Sequence, residues 1–523
     1  MQSLKRSPHP SKSKSRPLQR VSFRSTRIFT FIAVLCGGIA TLGSTATSAT
    51  LRVAHELGYG GRESLDPISP TRFFPAIQMI YDPLIQTDGV GQPNPALALS
   101  WSHSDDLRVW TFKLRDGVRF HNGASFEARD VVYSLKRALS AKLASPVKSV
   151  LGIIDRVEAV DPLTVRAVLQ QPHADFPRLL MDYRVKIVWA GNHPEDTDSP
   201  NSTGVGTGPF KVEQLQPGGT TVLAANSAYW GGAPGVDRIE LIGIADSDTQ
   251  TQALLAGQID MATVAAKSAA LFADRAGFVV QRIPTGAWNP IVMRTDTKPF
   301  TDVRVRKALK LIADRQAIID TVAGRGNGVI ACDNPLWPGD PYYDPSIKCP
   351  ADVDGAKQLL SEAGFKDGLT LDLYTSDVNP TMVQVAQVYQ AQAAKAGVTV
   401  NIKVAPSNGY WTTVWLKRPF LVGNWGQRPA DQVLNEVFRS GAKWNETFWA
   451  TPEFDALLDK ARRTPEFGER RKLYQQAARM LTDEGGSIIP FFLVQARIVS
   501  EKLGNVPTVP DISFEWNLVT KRD

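Results

Sequence analysis

Apolar positions recur at two spacings along this chain, and the spacing changes the element each segment predicts. Trp110-Thr-Phe-Lys-Leu-Arg115 alternates large apolar with polar residues, the pattern of a half-buried strand, and Asp116-Gly117 supplies a turn after it. From Phe126 to Leu139 the apolar positions Val131, Leu135 and Leu139 fall four apart, on one face of a helix. Residues 155–170 read as a hairpin with Asp161-Pro162 at its turn. The Gly204-Val-Gly-Thr-Gly208 stretch resembles a dinucleotide fingerprint, but it runs into Pro209 and a strand over 210–214, whereas a fingerprint must open a helix.

Beyond residue 237 strands and helices alternate. Arg238–Ile244 predicts a strand and Thr249–Ala256 a helix; Val303–Ile319 predicts one helix; Val353–Ala363 carries the stripe Ala356, Leu359, Leu360, Ala363. A strand over 370–374, a helix over 381–396 and a strand over 398–404 follow. This alternation predicts α/β lobes with mixed sheets. No repeat of 20 to 50 residues interrupts it. With 523 residues, 43% of them hydrophobic, the chain is too long for one core and rich enough for two or more.

The formal charge of +7 suggests a polyanion partner until its distribution is followed. Residues 1–49 hold eight Lys and Arg and no acid, which leaves 51 basic against 52 acidic residues in the rest. The excess belongs to the leader, so nucleic acid is not expected as a partner. That leader has a long cationic segment, an apolar run from Ile28 to about Leu42, and the small residues of Gly43–Ala49: a secretory signal, with cleavage expected after Ala49. The run is shorter than a membrane span needs. Cys36 follows Ala33-Val-Leu35, which does not suit lipidation. A periplasmic protein is expected. Cys332 and Cys349 then remain, an even pair across a Pro/Gly/Asp/Tyr-rich loop, and in an oxidising compartment they read as a disulfide or, less informatively, as two loop thiols. Neither has a histidine nearby, so no metal site is predicted.

Residues 106–139, DLRVWTFKLRDGVRFHNGASFEARDVVYSLKRAL, resemble the signature of the family 5 extracellular solute-binding proteins, the dipeptide, oligopeptide and nickel-binding group. Leu65-Asp-Pro67, Tyr81-Asp-Pro-Leu84, Gly206-Thr-Gly-Pro-Phe210, Asn226–Gly235 and Val303–Leu309 leading to Asp314-Arg315 agree in the same order, so the resemblance spans 51–520. It implies a type II periplasmic binding protein with an additional third domain: 51–80, 208–290 and 491–523 as lobe I, 81–207 as an extra domain attached to lobe I, 291–490 as lobe II, with hinge crossings near 290 and 490. It implies a monomer that hands a short peptide or peptide-like solute to the permease and ATPase subunits of an ABC importer. In the signature itself Gly117 and Gly123 suit turns, Phe120 and Phe126 core anchoring, Asp130 a helix start, and His121 a structural hydrogen bond.

Ligand chemistry is expected in Leu421–Asp431, where the resemblance places a Trp followed three residues on by an Asp that takes a peptide's amino group. Here Trp425 is followed by Arg428, a charge reversal, although Asp431 could take the role through a shifted loop. No Arg follows Tyr374, where dipeptide binders hold the ligand carboxylate. Arg428 offers a planar donor for a carboxylate or phosphate, or serves as an inter-lobe ion-pair residue. Gln427 lies beside it. Tyr410 and Trp411 are expected as flat contacts in the cleft, Trp415 there or in the core. No Gly-x-Ser-x-Gly elbow, HExxH or P-loop is present, so neither an enzyme nor a cofactor is predicted. A chemosensory module, or a binder of an opine-like or other anionic solute, would share the same fold.

Overall fold

The computed structural model describes residues 49–57, 60–88, 91–510 and 514–522; the leader and its expected cleavage site lie outside them. Three sheets carry the architecture. The largest runs in the spatial order Phe278–Trp288, Phe491–Ser500, Met261–Val264, Thr50–His55, Arg238–Gly243, Thr220–Ala225, Phe210–Gln214, with Gly328–Ile330 also paired to Phe491–Ser500. A five-stranded sheet is ordered Val398–Ala405, Leu369–Ser376, Phe420–Val422, Ile291–Met293, Ser487–Ile488. A four-stranded antiparallel sheet is ordered Ala98–His103, Val109–Leu114, Thr164–Leu169, Ile154–Asp161. The first two mix parallel and antiparallel pairs, as strand–helix alternation with interrupting hairpins requires.

Local sequence accounts for most elements. In Val109–Leu114 the alternate residues Trp110, Phe112 and Leu114 are buried, and Thr164–Leu169 pairs on one side of it. The helix Ala128–Leu139 buries Val131 and Leu135 against that sheet. It begins with a capping box in which the Asp130 carboxylate accepts the Glu127 amide, and the other Asp130 oxygen accepts the amide of Ala190. His121 donates through Nε2 to the Gly208 carbonyl (2.9 Å), which leaves Nδ1 to accept the Gly206 amide, a structural task. Gly117 and Gly123 sit at φ of +73° and +85°.

One expected element divides. Val303–Ile319 is two helices, Val303–Ile312 and Arg315–Val322, because Asp314 turns out of the first and caps the second by accepting the Ala317 amide. The helical period runs through the break, so only the cap marks it. Cys332 and Cys349 are joined as a disulfide, closing the loop between the second of these helices and Val353–Glu362.

Candidate functional site

A cavity of about 500 Å³ opens where the three sheet systems meet, within the range of small-solute sites. Segments far apart in sequence wall it. Thr285 and Gln495 come from strands of the large sheet and Phe74 from the start of the helix Phe74–Ile80; Arg178, Tyr183 and Arg184 come from the segment after the four-stranded sheet; Trp337, Gln427 and Arg428 come from loops within 291–490. Two glycines permit this approach. A Cβ on Gly286 would stand 2.7 Å from the Trp337 ring and 2.8 Å from Gln427 Cγ, and the Gly286 amide donates to Gln427 Oε1 (3.1 Å). Gly91, at φ +75°, would place a Cβ 2.7 Å from the Gly339 carbonyl oxygen.

Of the three guanidinium groups that line the cavity among the described residues, Arg178 meets Asp340, and Arg184 and Arg428 form the rest of the cationic wall. Arg184 is held by Asp182, with Nε 2.7 Å from Oδ1. Arg428 Nε lies 3.4 Å from Glu436, Nη1 donates to the Gly426 carbonyl, and the guanidinium rests over the rings of Trp425 (5.0 Å) and Trp444 (5.7 Å). Burial pushes the Arg428 pKa down and that of Glu436 up, and the nearby Arg184 charge lowers both. The two cations thus share one stretch of wall: Arg184 is forked onto Asp182 through Nε and Nη2, whereas Arg428 meets Glu436 through Nε alone.

The remaining expected site residues sit elsewhere. Trp425 is buried beneath Arg428, stacked on Trp288 at 6.2 Å, with its indole N–H given to Glu446. Trp411 is 38% exposed and does not line the cavity. Tyr410 does not line it either: it lies in the core beside the five-stranded sheet, its hydroxyl donating to the Val422 carbonyl (2.6 Å). Asp431 is buried and fully engaged. Its carboxylate accepts Arg462 Nε and Nη2 (2.8 Å each), His173 Nε2 (3.0 Å), Tyr474 OH (2.8 Å) and Asn435 Nδ2 (3.1 Å). Burial would raise its pKa, but Arg462 and His173 outweigh this and hold it well below the usual carboxylate range. A shifted loop therefore does not free Asp431 for a ligand's amine.

Asp431 belongs to a polar network that the sequence does not announce. From the segment after the four-stranded sheet, Asp175 accepts Tyr342 OH (2.7 Å) and pairs with Arg470 (3.0 Å), while Arg178 donates to the Gly91 carbonyl and meets Asp340 at 3.5 Å. The stretch 173–178, expected beside the first lobe, is thus bonded into the region 340–474. Arg184, Tyr183 and Trp337 were equally unmarked, since nothing about their own neighbours places them at a cavity. Among the described residues no cluster of three metal-ligating side chains occurs, and no helix is long and apolar enough to cross a membrane.

Comparison with known proteins supplies the family. Residues 92–445 match the model of the bacterial extracellular solute-binding proteins, family 5 Middle. Heme-binding protein A of Haemophilus influenzae is 31% identical over 454 residues, 78% of this chain and 81% of its own. A glutathione-binding protein of Pectobacterium atrosepticum is 29% identical over 451 residues, 80% and 84% of the two chains. In three dimensions HbpA2 from Haemophilus parasuis superposes with a TM-score of 0.80 at 24% identity, over 90% of this chain and all of that one.

Proposed function

This chain belongs to the family 5 bacterial extracellular solute-binding proteins, and we propose that it is the periplasmic substrate-binding component of an ABC importer for a small, peptide-like solute carrying an anionic group. The observation that carries the ligand reading is the pair Arg184 and Arg428 on one cavity wall. An anion seated between them relieves their mutual repulsion and gains charge-assisted hydrogen bonds, which strengthen as closure around the solute excludes water. The carboxylates Asp182 and Glu436 offset the charge of these two cations. The relatives named for glutathione and heme support capture of a solute rather than its chemical conversion.

The three sheet systems support a division at about 81–207, 291–490 and the remainder. Hinge crossings follow where Phe278–Trp288 and Phe491–Ser500 leave the large sheet, and closure needs only better contacts around ligand. The permease and ATPase subunits are the partners, and the protein acts as a monomer released after cleavage near residue 50. Intact-mass analysis of the secreted protein should show a mature chain beginning there; an uncleaved, membrane-embedded chain refutes export by this signal.

Thermal unfolding in the presence of candidate solutes tests the ligand. Unmodified zwitterionic dipeptides should shift melting little, and acidic or N-substituted amino-acid conjugates more, because a solute selective for the folded protein stabilises it by mass action. Arg428→Ala should cost about 2 kcal/mol of affinity, the loss of one side of a buried charged hydrogen bond, with the ligand-free protein still folded. Tight dipeptide binding that survives Arg428→Ala overturns the anion reading.

A further inference from the structure

Below the cation wall lies a carboxylate with no cation of its own. Glu446 is 1% exposed; Oε2 accepts the indole N–H of Trp415 (2.6 Å) and Oε1 that of Trp425 (2.7 Å). It is wedged from the other side by Gly423, where an added Cβ would stand 3.1 and 3.2 Å from its two oxygens. Among the described residues it forms no ion pair. The titratable group beside it is Tyr410, whose hydroxyl is committed to the Val422 carbonyl. Beyond Trp425 come Arg428 with Glu436, and then Arg184 with Asp182.

Trp425 is the piece that connects this carboxylate to function. Its ring stacks on Trp288, its backbone exchanges hydrogen bonds with Trp288 in both directions (3.0 Å each), and its outer face carries the Arg428 guanidinium. Trp288 ends the strand Phe278–Trp288, so the pair also stitches the large sheet to the five-stranded one. An anionic acceptor on the indole N–H fixes the ring plane and pushes electron density toward the π face that Arg428 covers. A protonated carboxyl has only one strong acceptor oxygen, and its new O–H needs an acceptor in a place already filled by two donors.

We propose that Glu446 is a positioning residue of the solute site: its carboxylate clamps Trp415 and Trp425 so that Arg428 is held on the cavity wall, and protonation of Glu446 releases that clamp and weakens solute capture. Burial, opposed only by the two indole bonds, raises its pKa to about 7, which puts the transition near neutrality. Its relevance to capture rests on the ligand reading given above; the clamp itself does not.

The test has two arms. In the first, indole N–H resonances of the ligand-free, full-length mature protein are followed by NMR from pH 5.5 to 8.5, with Trp415→Phe and Trp425→Phe assigning the two signals. Both should titrate with one common midpoint near neutrality and stop titrating in Glu446→Gln; two pH-independent signals, or signals that still titrate in Glu446→Gln, overturn the clamp. The wild-type titration stands even where the Gln variant fails to fold. In the second arm glutathione is the probe, followed by calorimetry at pH 6 and pH 8. Wild type should bind about fivefold more tightly at pH 8, the scale of one cation–π contact, and Glu446→Gln should bind with its pH 6 affinity at both. Equal pH dependence in the two proteins overturns the role of Glu446 in capture while leaving the ligand reading intact. No glutathione binding at any pH counts against glutathione as the solute, and the NMR arm then decides the clamp.

Discussion

Replacing Asp431 by Ala separates two roles that one carboxylate can hold in this fold. The carboxylate accepts five hydrogen bonds, two of them from Arg462 and one from His173, 258 residues away in sequence. Truncation leaves the Arg462 guanidinium, about a quarter exposed, to rehydrate in part, while the His173 ring is 1% exposed and cannot. Breaking a buried pair from one side costs about 3–5 kcal/mol, and the partial exposure of Arg462 sets the expectation at the lower end, about 3 kcal/mol. Urea unfolding of the ligand-free protein measures it. The sign with pH is also fixed. A carboxylate whose folded pKa lies below its unfolded value contributes stability that is present above about pH 4 and lost as pH falls toward the folded value. The gap between wild type and Asp431→Ala should therefore be full at pH 7 and shrink below about pH 4. Paired with His173→Ala, the two losses should fall short of additive by about 1–3 kcal/mol, since the side chains touch. The reasoning is refuted if Asp431→Ala unfolds like wild type yet no longer binds a solute bearing a free amine, for then the carboxylate serves the ligand and not the fold.

Two further outcomes follow from burial and covalent structure. Alkylation without reductant should modify neither Cys332 nor Cys349, and replacing both by Ser should cost about 3 kcal/mol for a closed loop of this length, read by denaturant unfolding; two alkyl adducts on the native protein refute the pairing. Glu446 has a folded pKa raised to about 7 from 4.5, so the native state holds an extra proton between those values and the residue's contribution to stability falls as pH rises through that window. The unfolding free energy of Glu446→Gln relative to wild type should therefore rise by about 3 kcal/mol between pH 4.5 and pH 8; a pH-independent difference sinks the assignment.

What the sequence alone determined was most of what depends on a few neighbouring residues, although the Asp314 cap that divides Val303–Ile319 was not read from it. Apolar spacing located Val109–Leu114 and Ala128–Leu139, Asp161-Pro162 located a hairpin turn, and the ordered motifs from Leu65 to Asp314-Arg315 carried the family and its sheet types. The loop Leu421–Asp431 stood out because a charge reversal is visible without coordinates, and Gln427 and Arg428 do line the cavity. Tertiary structure decided which partner each polar side chain meets. Asp431 and Arg428 are three residues apart, yet one is sealed against His173 and Arg462 and the other lies on a cavity wall. Tyr410 turned into the core where a cleft contact was expected, and Arg184 reached the cavity from a segment with no motif. Periodicity and capping are settled by hydrogen bonds and packing within one or two turns of chain. The fate of a charge is settled by which distant segments exclude water from it, and that is fixed only when the chain crosses itself.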